Sequence, residues 1–365
     1  MPKDPRAAGL RRERMQSSPL WRGDGFANPS GKGPGLSQGS ALPVLKEFLR
    51  GGNRRTPPLP LPSLDPREMW QRPVETGLRV TWLGHSTLLL ELGGVKLLTD
   101  PVWGERASPV AFAGPKRFQP VPVPIASLPP LDAVLISHDH YDHLDYSSVM
   151  ALAERDVPFI TSLGVGGHLE SWGIPSERIV ELDWWQSVER SGVRITATPA
   201  QHFSGRGLGD RNRTLWSSFA VESDRAKLFF SGDTGLTDDY REIARRLGAF
   251  DLVMLEVGAF HPAWGHIHLG PDNALSALSL LGGGALLPVH WGTFNLALHA
   301  WDQPAERLLE LAPAHGARLV MPRIGQALEV ERAREPVAWW REIARAERAG
   351  DELPPPTPAM IEPID

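Results

Sequence analysis

At 365 residues the chain is long enough for one large hydrophobic core or two smaller ones. Its 38 basic and 43 acidic residues leave a net charge of -5, which excludes a strongly basic nucleic-acid binder, and the absence of cysteine excludes disulfides and thiolate metal sites. No apolar run reaches the roughly 18 residues of a membrane span, and no apolar stretch follows the basic N-terminus as a secretory signal requires. The expectation is a cytoplasmic protein, either freely soluble or peripheral to a membrane.

Residues 1–65 form an extension rich in Gly, Pro, Ser and Arg, with Pro57-Pro58-Leu59-Pro60-Leu61-Pro62 reading as polyproline-like chain and 44–50 as one short helix. Composition leaves open whether this extension hangs free or wraps the core. From Gly77 the pattern changes. Segments 79–83, 87–92 and 95–99 read as strands, the last two joined by a Gly93-Gly94 hairpin turn. The span 102–130, with Pro and Gly throughout, is too long for an ordinary connection and reads as a functional or covering loop. The short, continuous apolar run at 131–136 reads as a buried strand. Asp145 then caps a helix reaching 154. Further strands are expected at 157–160, 179–182, 193–198, 215–221, 227–230, 251–257, 285–289 and 318–322. Helices are expected at 166–172, 237–247, 271–281, 303–311 and 337–348. No internal repeat is visible, although an apolar strand followed by a polar loop recurs. The domain reading is an extension at 1–65, a core domain at 66–335, and a helix with a Pro-rich tail at 336–365.

The strand ends carry the chemistry. The 131–136 run stops at Ser137-His138-Asp139-His140-Tyr141-Asp142-His143, an H-x-H-x-D-H cluster. Three imidazoles and two carboxylates so close together are costly unless a cation sits between them. Imidazole and carboxylate together suit zinc, with Fe or Mn fitting less well. Later strand ends add His202, Asp233 and His290. Counting donors assigns His138, His140 and His202 to one metal and Asp142, His143 and His290 to a second, with Asp233 bridging. Of the other histidines, His85 on an early Gly-His turn reads as a support for a ligand, as does Asp100, and most of the rest read as structural.

These motifs resemble the metallo-β-lactamase superfamily. Within it, Thr81-Trp82-Leu83-Gly84-His85-Ser86-Thr87, Leu98-Thr99-Asp100-Pro101, Gly114-Pro115-Lys116-Arg117-Phe118, Glu181-Leu182-Asp183-Trp184-Trp185, Gly232-Asp233-Thr234-Gly235 and His290-Trp291-Gly292-Thr293-Phe294 resemble the N-acylphosphatidylethanolamine-hydrolysing phospholipases D and their RomA-like bacterial relatives. The likeness runs from about Val80 to Phe294. It departs near the C-terminus, where relatives tend to carry Gly-Glu in place of Gly325-Gln326. It implies an α/β fold, the four-layer αββα sandwich, and a di-zinc phosphodiesterase. It also implies that Tyr141 and His268 contact the substrate phosphate, joining Asp142 and Asp233 as the catalytic set.

On this reading two Zn(II) ions acidify a bridging water, and the resulting hydroxide attacks phosphorus. The expected partner is a small-molecule or phospholipid substrate, with peripheral membrane contact, no nucleic acid, and an open oligomeric state. Trp103, Phe112, Phe118, Trp184, Trp185, Phe260 and Trp264 are candidates to house apolar tails. The alternatives are hydrolysis of a lactone, thioester or β-lactam on the same metals, and a non-catalytic binding module stabilised by metal.

Overall fold

In this computed structural model, which describes residues 9–35, 41–50, 54–264 and 266–343, the chain begins on the outside of its own core. Helix α1 (Gly9–Ser17) leads into a hairpin of two short strands, β1 (Trp21–Arg22) and β2 (Gly25–Phe26). Met15, Leu20 and Phe26 are buried against Leu163, Ala200, Leu215 and Trp216, so this part of the extension wraps the core. Helices α2 (Ala41–Arg50) and α3 (Arg67–Trp70) follow.

The first sheet starts as an antiparallel meander of β3 (Leu78–Gly84), β4 (Thr87–Leu92) and β5 (Val95–Thr99). Gly93 and Gly94 both take the positive φ (57° and 84°) that a tight two-residue hairpin needs. The sheet continues in parallel through β6 (Ala133–Ile136), β7 (Phe159–Ser162) and β8 (Ile179–Leu182), with α4 (Tyr146–Ala153) and α5 (Gly166–Ser171) in the crossovers. Asp145 caps α4 as its position predicts, its side chain accepting the Ser148 amide at 2.9 Å.

The second sheet begins antiparallel with β9 (Ser187–Arg190), β10 (Val193–Thr198), β11 (Ser218–Glu222) and β12 (Lys227–Phe230). It continues in parallel through β13 (Leu252–Glu256), β14 (Ala285–Val289) and β15 (Arg318–Leu319). Helices α6 (Asp239–Leu247), α7 (Gly270–Leu280) and α8 (Gln303–Leu311) lie in its crossovers, and β16 (Ala327–Glu329) returns to pair with β3. Among the described residues each of these two sheets has seven strands.

Period-two alternation explains the layering. Leu88, Leu90, Leu97 and Leu135 point into a core shared with Ile195, Phe219, Phe229 and Met254 of the second sheet. Their neighbours Leu89, Leu98, Val134 and Ile136 point the other way, against Val149 and Leu152 of α4 and Leu169 of α5. Tyr240, Ile243, Leu275 and Leu308 of α6–α8 join the shared core at the second sheet. The result is the αββα sandwich expected from the motifs.

Differences from the expected elements have local causes. Strands β9 and β16 went unpredicted because they are short, half-exposed edges without an apolar face. The strands expected at 157–160 and 215–221 form later, at β7 and β11, and that expected at 318–322 shortens to β15. In the expected 337–348 helix, Trp339 and Trp340 are buried before a helical turn at 341–343, and 344–348 lie outside the described residues. No described helix is long and apolar enough to cross a membrane.

Candidate metal centre

Strand β6 is apolar and fully buried, so the polar turn after it emerges at one rim of the sandwich. Asp100, at the end of neighbouring β5, is fully buried and organises that turn. It accepts the Ser137 amide at 2.7 Å, the Ser137 hydroxyl at 2.6 Å and His143 Nδ1 at 2.7 Å. Ser137 Oγ has one proton and gives it to Asp100, so it accepts from His138 Nδ1 at 2.9 Å. The Ile267 carbonyl, 2.9 Å from His202 Nδ1, can only accept. In His138, His143 and His202 the proton therefore sits on Nδ1, and the Nε2 lone pair faces inward, as metal-ligating imidazoles require.

These atoms meet in two groups. In the first, His140 Nδ1 lies 2.9 Å from His138 Nε2 and 3.3 Å from His202 Nε2, while Asp233 Oδ2 lies 4.0 and 3.7 Å from the His138 and His202 nitrogens. In the second, Asp233 Oδ1 lies 3.1 Å from His143 Nε2 and 3.2 Å from His290 Nε2, and Asp142 Oδ2 lies 3.6 and 3.3 Å from the same two atoms. His138, His140, His202 and Asp233 each offer one ligand atom, all within 4.8 Å of one another, and so do His85, Asp142, His143 and His290. Asp233 turns one oxygen to each group. His143 Nε2, His290 Nε2 and Asp233 Oδ1 are buried yet have no hydrogen-bond partner. Orphaned polar atoms of this kind are costly, and lone pairs converging on a common point fit a divalent cation.

Backbone strain collects here as well. His85, Asp100 and His290 adopt left-handed φ of 51°, 31° and 64°, which non-glycine residues rarely do without functional cause. His85 Nε2 stands 3.1 Å from Asp142 Oδ2, and its carbonyl accepts the His290 amide at 3.0 Å. This is the supporting position that the sequence suggested, close enough for His85 to join the second group.

Charge divides the groups. Burial and neighbouring imidazoles hold His138 well below its ordinary range; burial does the same to His202, against the pull of Asp233. Burial also lowers His140, and it outweighs Asp142 to bring His85 to about 3. In the second group burial disfavours charge, but Asp233 and Asp142 lift His143 well above its usual value and carry His290 to about 10. Asp142 and Asp233, although buried, are held well below the carboxylate range by His143 and its neighbours. Without a metal, the raised basicity of His143 and His290 favours a proton on the inward nitrogens that a cation would otherwise take up, set against the buried carboxylates.

Tyr141 and His268 take different places. The Tyr141 hydroxyl donates to the Arg206 carbonyl at 2.8 Å, and the Arg206 guanidinium lies 3.9 Å over its ring. His268 sits beside the centre, with Nδ1 4.0 Å from Asp233 Oδ2 and 3.1 Å from both oxygens of Glu256. Glu256 also accepts the Thr234 and Leu269 amides at 3.0 and 3.1 Å. Burial works against a charged His268, but Glu256 raises it overall.

Sequence reasoning missed Glu256, whose one signal is an acid closing the apolar run of β13. It also missed the partner of His168: Asp139, inside the motif, lies 3.2 Å from His168 Nε2 and accepts Thr214 Oγ1 at 2.9 Å. Among the aromatic candidates, Trp185 lines a separate groove of about 330 Å³ with Arg194, Lys227 and Arg246, none of them in either group. Phe203, not singled out before, packs its ring 4.5 Å from His140 and 4.8 Å from His202.

Residues 96–291 match the family profile described as Beta-lactamase superfamily domain. The chain is 44% identical over 302 residues to the uncharacterized protein Rv0906 of Mycobacterium tuberculosis, covering 82% of this chain and 80% of that protein. It is 40% identical over 254 residues to N-acyl-phosphatidylethanolamine-hydrolyzing phospholipase D 1 of Caenorhabditis elegans, covering 66% of this chain and 71% of the relative. Among solved structures, an isothiocyanate hydrolase from Delia radicum gut bacteria matches with a TM-score of 0.57 at 23% identity, over 69% of this chain and 98% of that one, a likeness of fold.

Proposed function

We propose that this chain, which belongs to the metallo-β-lactamase superfamily of metal-dependent hydrolases, is a phosphodiesterase of phospholipase D type acting on N-acylphosphatidylethanolamine-like lipids. The observation that carries the reading is Asp233, with one oxygen toward each of two groups of inward-facing imidazoles. His138, His140 and His202 would hold one ion, Asp142, His143 and His290 the other, and Asp233 both. Two divalent ions, zinc on this nitrogen and oxygen donor set, would acidify a shared water and draw charge from phosphate oxygens.

The chain's own groups supply the rest. Glu256 accepts the Nδ1–H of His268, which orients the ring, and by raising its basicity favours the imidazolium, whose Nε2–H can then donate to an anionic oxygen of the substrate. The Tyr141 hydroxyl reaches a phosphate oxygen only by exchanging it for the Arg206 carbonyl. Asp142 accepts from His85, which steadies the carboxylate between His143 and His290. The lipid substrate is supported by the names of the Caenorhabditis elegans relative and of a Saccharomyces cerevisiae relative, N-acyl-phosphatidylethanolamine-hydrolyzing phospholipase D, mitochondrial, 34% identical over 258 residues.

The engagement of Tyr141 by Arg206 favours a second reading, hydrolysis of a lactone, thioester or β-lactam on the same centre, because it leaves the phosphate one donor short. A substrate panel separates the two. An N-acylated phospholipid, an aryl phosphodiester, a lactone and a β-lactam are turned over by one sample of known metal content. Preference for the phosphodiesters supports the proposal; turnover confined to the lactone or β-lactam overturns it.

A further inference from the structure

The N-terminal segment makes contacts that the sandwich core does not require, and they converge on one loop of the centre. Its anchor is α1, where Arg11 bonds Glu170 and Glu181 at 2.8 Å and Arg14 Nη2 donates to the Glu181 carbonyl at 2.7 Å. The hairpin latches next. The Phe26 amide donates to the Asn212 carbonyl at 2.8 Å, and a Cβ on Gly25 would meet that oxygen at 2.7 Å, an approach open to glycine alone. Past the latch, Asn28 Nδ2 donates to the carbonyls of His202 and Lys32, each at 2.7 Å. Ser30 Oγ donates to Gln201 Oε1 at 2.7 Å, and Gln201 Nε2 donates to the His266 carbonyl at 2.7 Å.

We infer that this segment is a positioning element of the metal centre, with Asn28 holding the His202 carbonyl and Ser30 the Gln201 side chain so that His202 Nε2 stays aimed at its group. The inference rests on the metal-centre reading proposed above. His202 lies in the irregular stretch 199–217 between β10 and β11, where no strand pairing fixes its backbone. Its ring is turned by the Ile267 carbonyl, but the place of its Cα depends on what grips the main chain. On one side Thr234 Oγ1 and the Gly235 amide hold the Gln201 main chain at 2.9 and 2.8 Å; on the other Asn28 grips the His202 carbonyl, with Ser30 steadying the Gln201 side chain beside it. Among the described residues, the hydrogen bonds from 9–35 to the core reach this stretch, the α5–β8 region and Gln186 just beyond it. They do not reach Asp142, His143 or His290. Loosening the segment therefore disturbs one metal position and spares the other.

The test uses the full chain, stripped of metal and titrated with Zn(II) against a chromophoric chelator. Wild type should take up two equivalents. Asn28→Ala should weaken one binding step by about tenfold, the low end for supports of metal ligands, and leave the other step and the metal-free melting temperature unchanged. Asn28→Asp, of equal size but unable to donate when ionised, should behave as Asn28→Ala does. Ser30→Ala should give the same selective loss in smaller amount, and it stands in should Asn28→Ala fail to fold. Unchanged affinities in these variants, or two steps weakened together with the metal-free melting temperature, would overturn the inference. A wild-type protein that binds no second equivalent refutes the centre itself, before any variant is compared.

Discussion

In the first sheet the pairing runs β16-β3-β4-β5-β6-β7-β8; in the second it runs β9-β10-β11-β12-β13-β14-β15. Both orders are antiparallel through the first four strands and parallel through the last four. Laid side by side, the β3–β4 turn with His85 corresponds to the β10–β11 loop with His202. The end of β5 with Asp100 corresponds to the end of β12 with Asp233. The turn after β6, with its histidine cluster, corresponds to the end of β13 with Glu256. Equivalent positions thus do different work. In the first half Asp100 supports a side chain of the following turn and His85 stands beside Asp142 at the edge of the second group, whereas His202 is a member of the first group and Asp233 turns an oxygen to each. One half gathers its donors on a single turn; the other delivers them singly, from separate strands.

That contrast can be broken by mutation. The largest effect is expected for His202→Ala, which should release one ion and abolish turnover, read by elemental analysis and assay on one sample. His268→Gln should keep both ions and lower kcat/KM for a phosphodiester by about 10²–10³, the usual worth of one positioned hydrogen-bond donor to a developing anion. Equal losses on a lactone would detach His268 from phosphate. His85→Ala, the counterpart of His202→Ala, should weaken metal binding by about 10–100-fold without abolishing it, as loss of a ligand's partner does. If chelator competition shows both variants equally depleted, the two halves have not diverged in role.

The smallest effect is one of pH. In the metal-free protein burial opposes a charged His290, yet Asp233 and Asp142 raise it from 6.5 to about 10. Stability from that proton is complete below the unfolded value, and it is lost as pH rises through the folded one. Metal-free melting temperatures should therefore fall from pH 6.5 to 10, while Zn(II), which must displace the proton, binds more tightly over the same window. A metal-free melting temperature that climbs across the window would mean that His290 is neutral.

The same contrast explains what could be read from the sequence. His138, His140, Asp142 and His143 share one short turn, so their spacing alone announces a cation. His202, Asp233 and His290 are legible only because each ends an apolar strand, and because the first turn leaves two coordination spheres unfilled. Glu256 also ends a strand, but its meaning depends on His268, which arrives from the far side of an irregular connection. The support for His202 was hidden further still. Asn28 and Ser30 lie in a Gly- and Pro-rich stretch whose strands are two residues long, too short to leave a periodic pattern. Tyr141 shows the reverse case: the motif gives its place, while the Arg206 carbonyl that holds its hydroxyl is invisible without the fold.

Among the described residues Asp233 alone turns an oxygen to both groups, so Zn(II) stoichiometry of Asp233→Asn beside wild type tests the centre most directly. Wild type should hold two ions per chain, and the variant should lose affinity for both together while remaining folded by circular dichroism. Loss of one ion with the other bound as in wild type would contradict the bridge, and with it the paired centre.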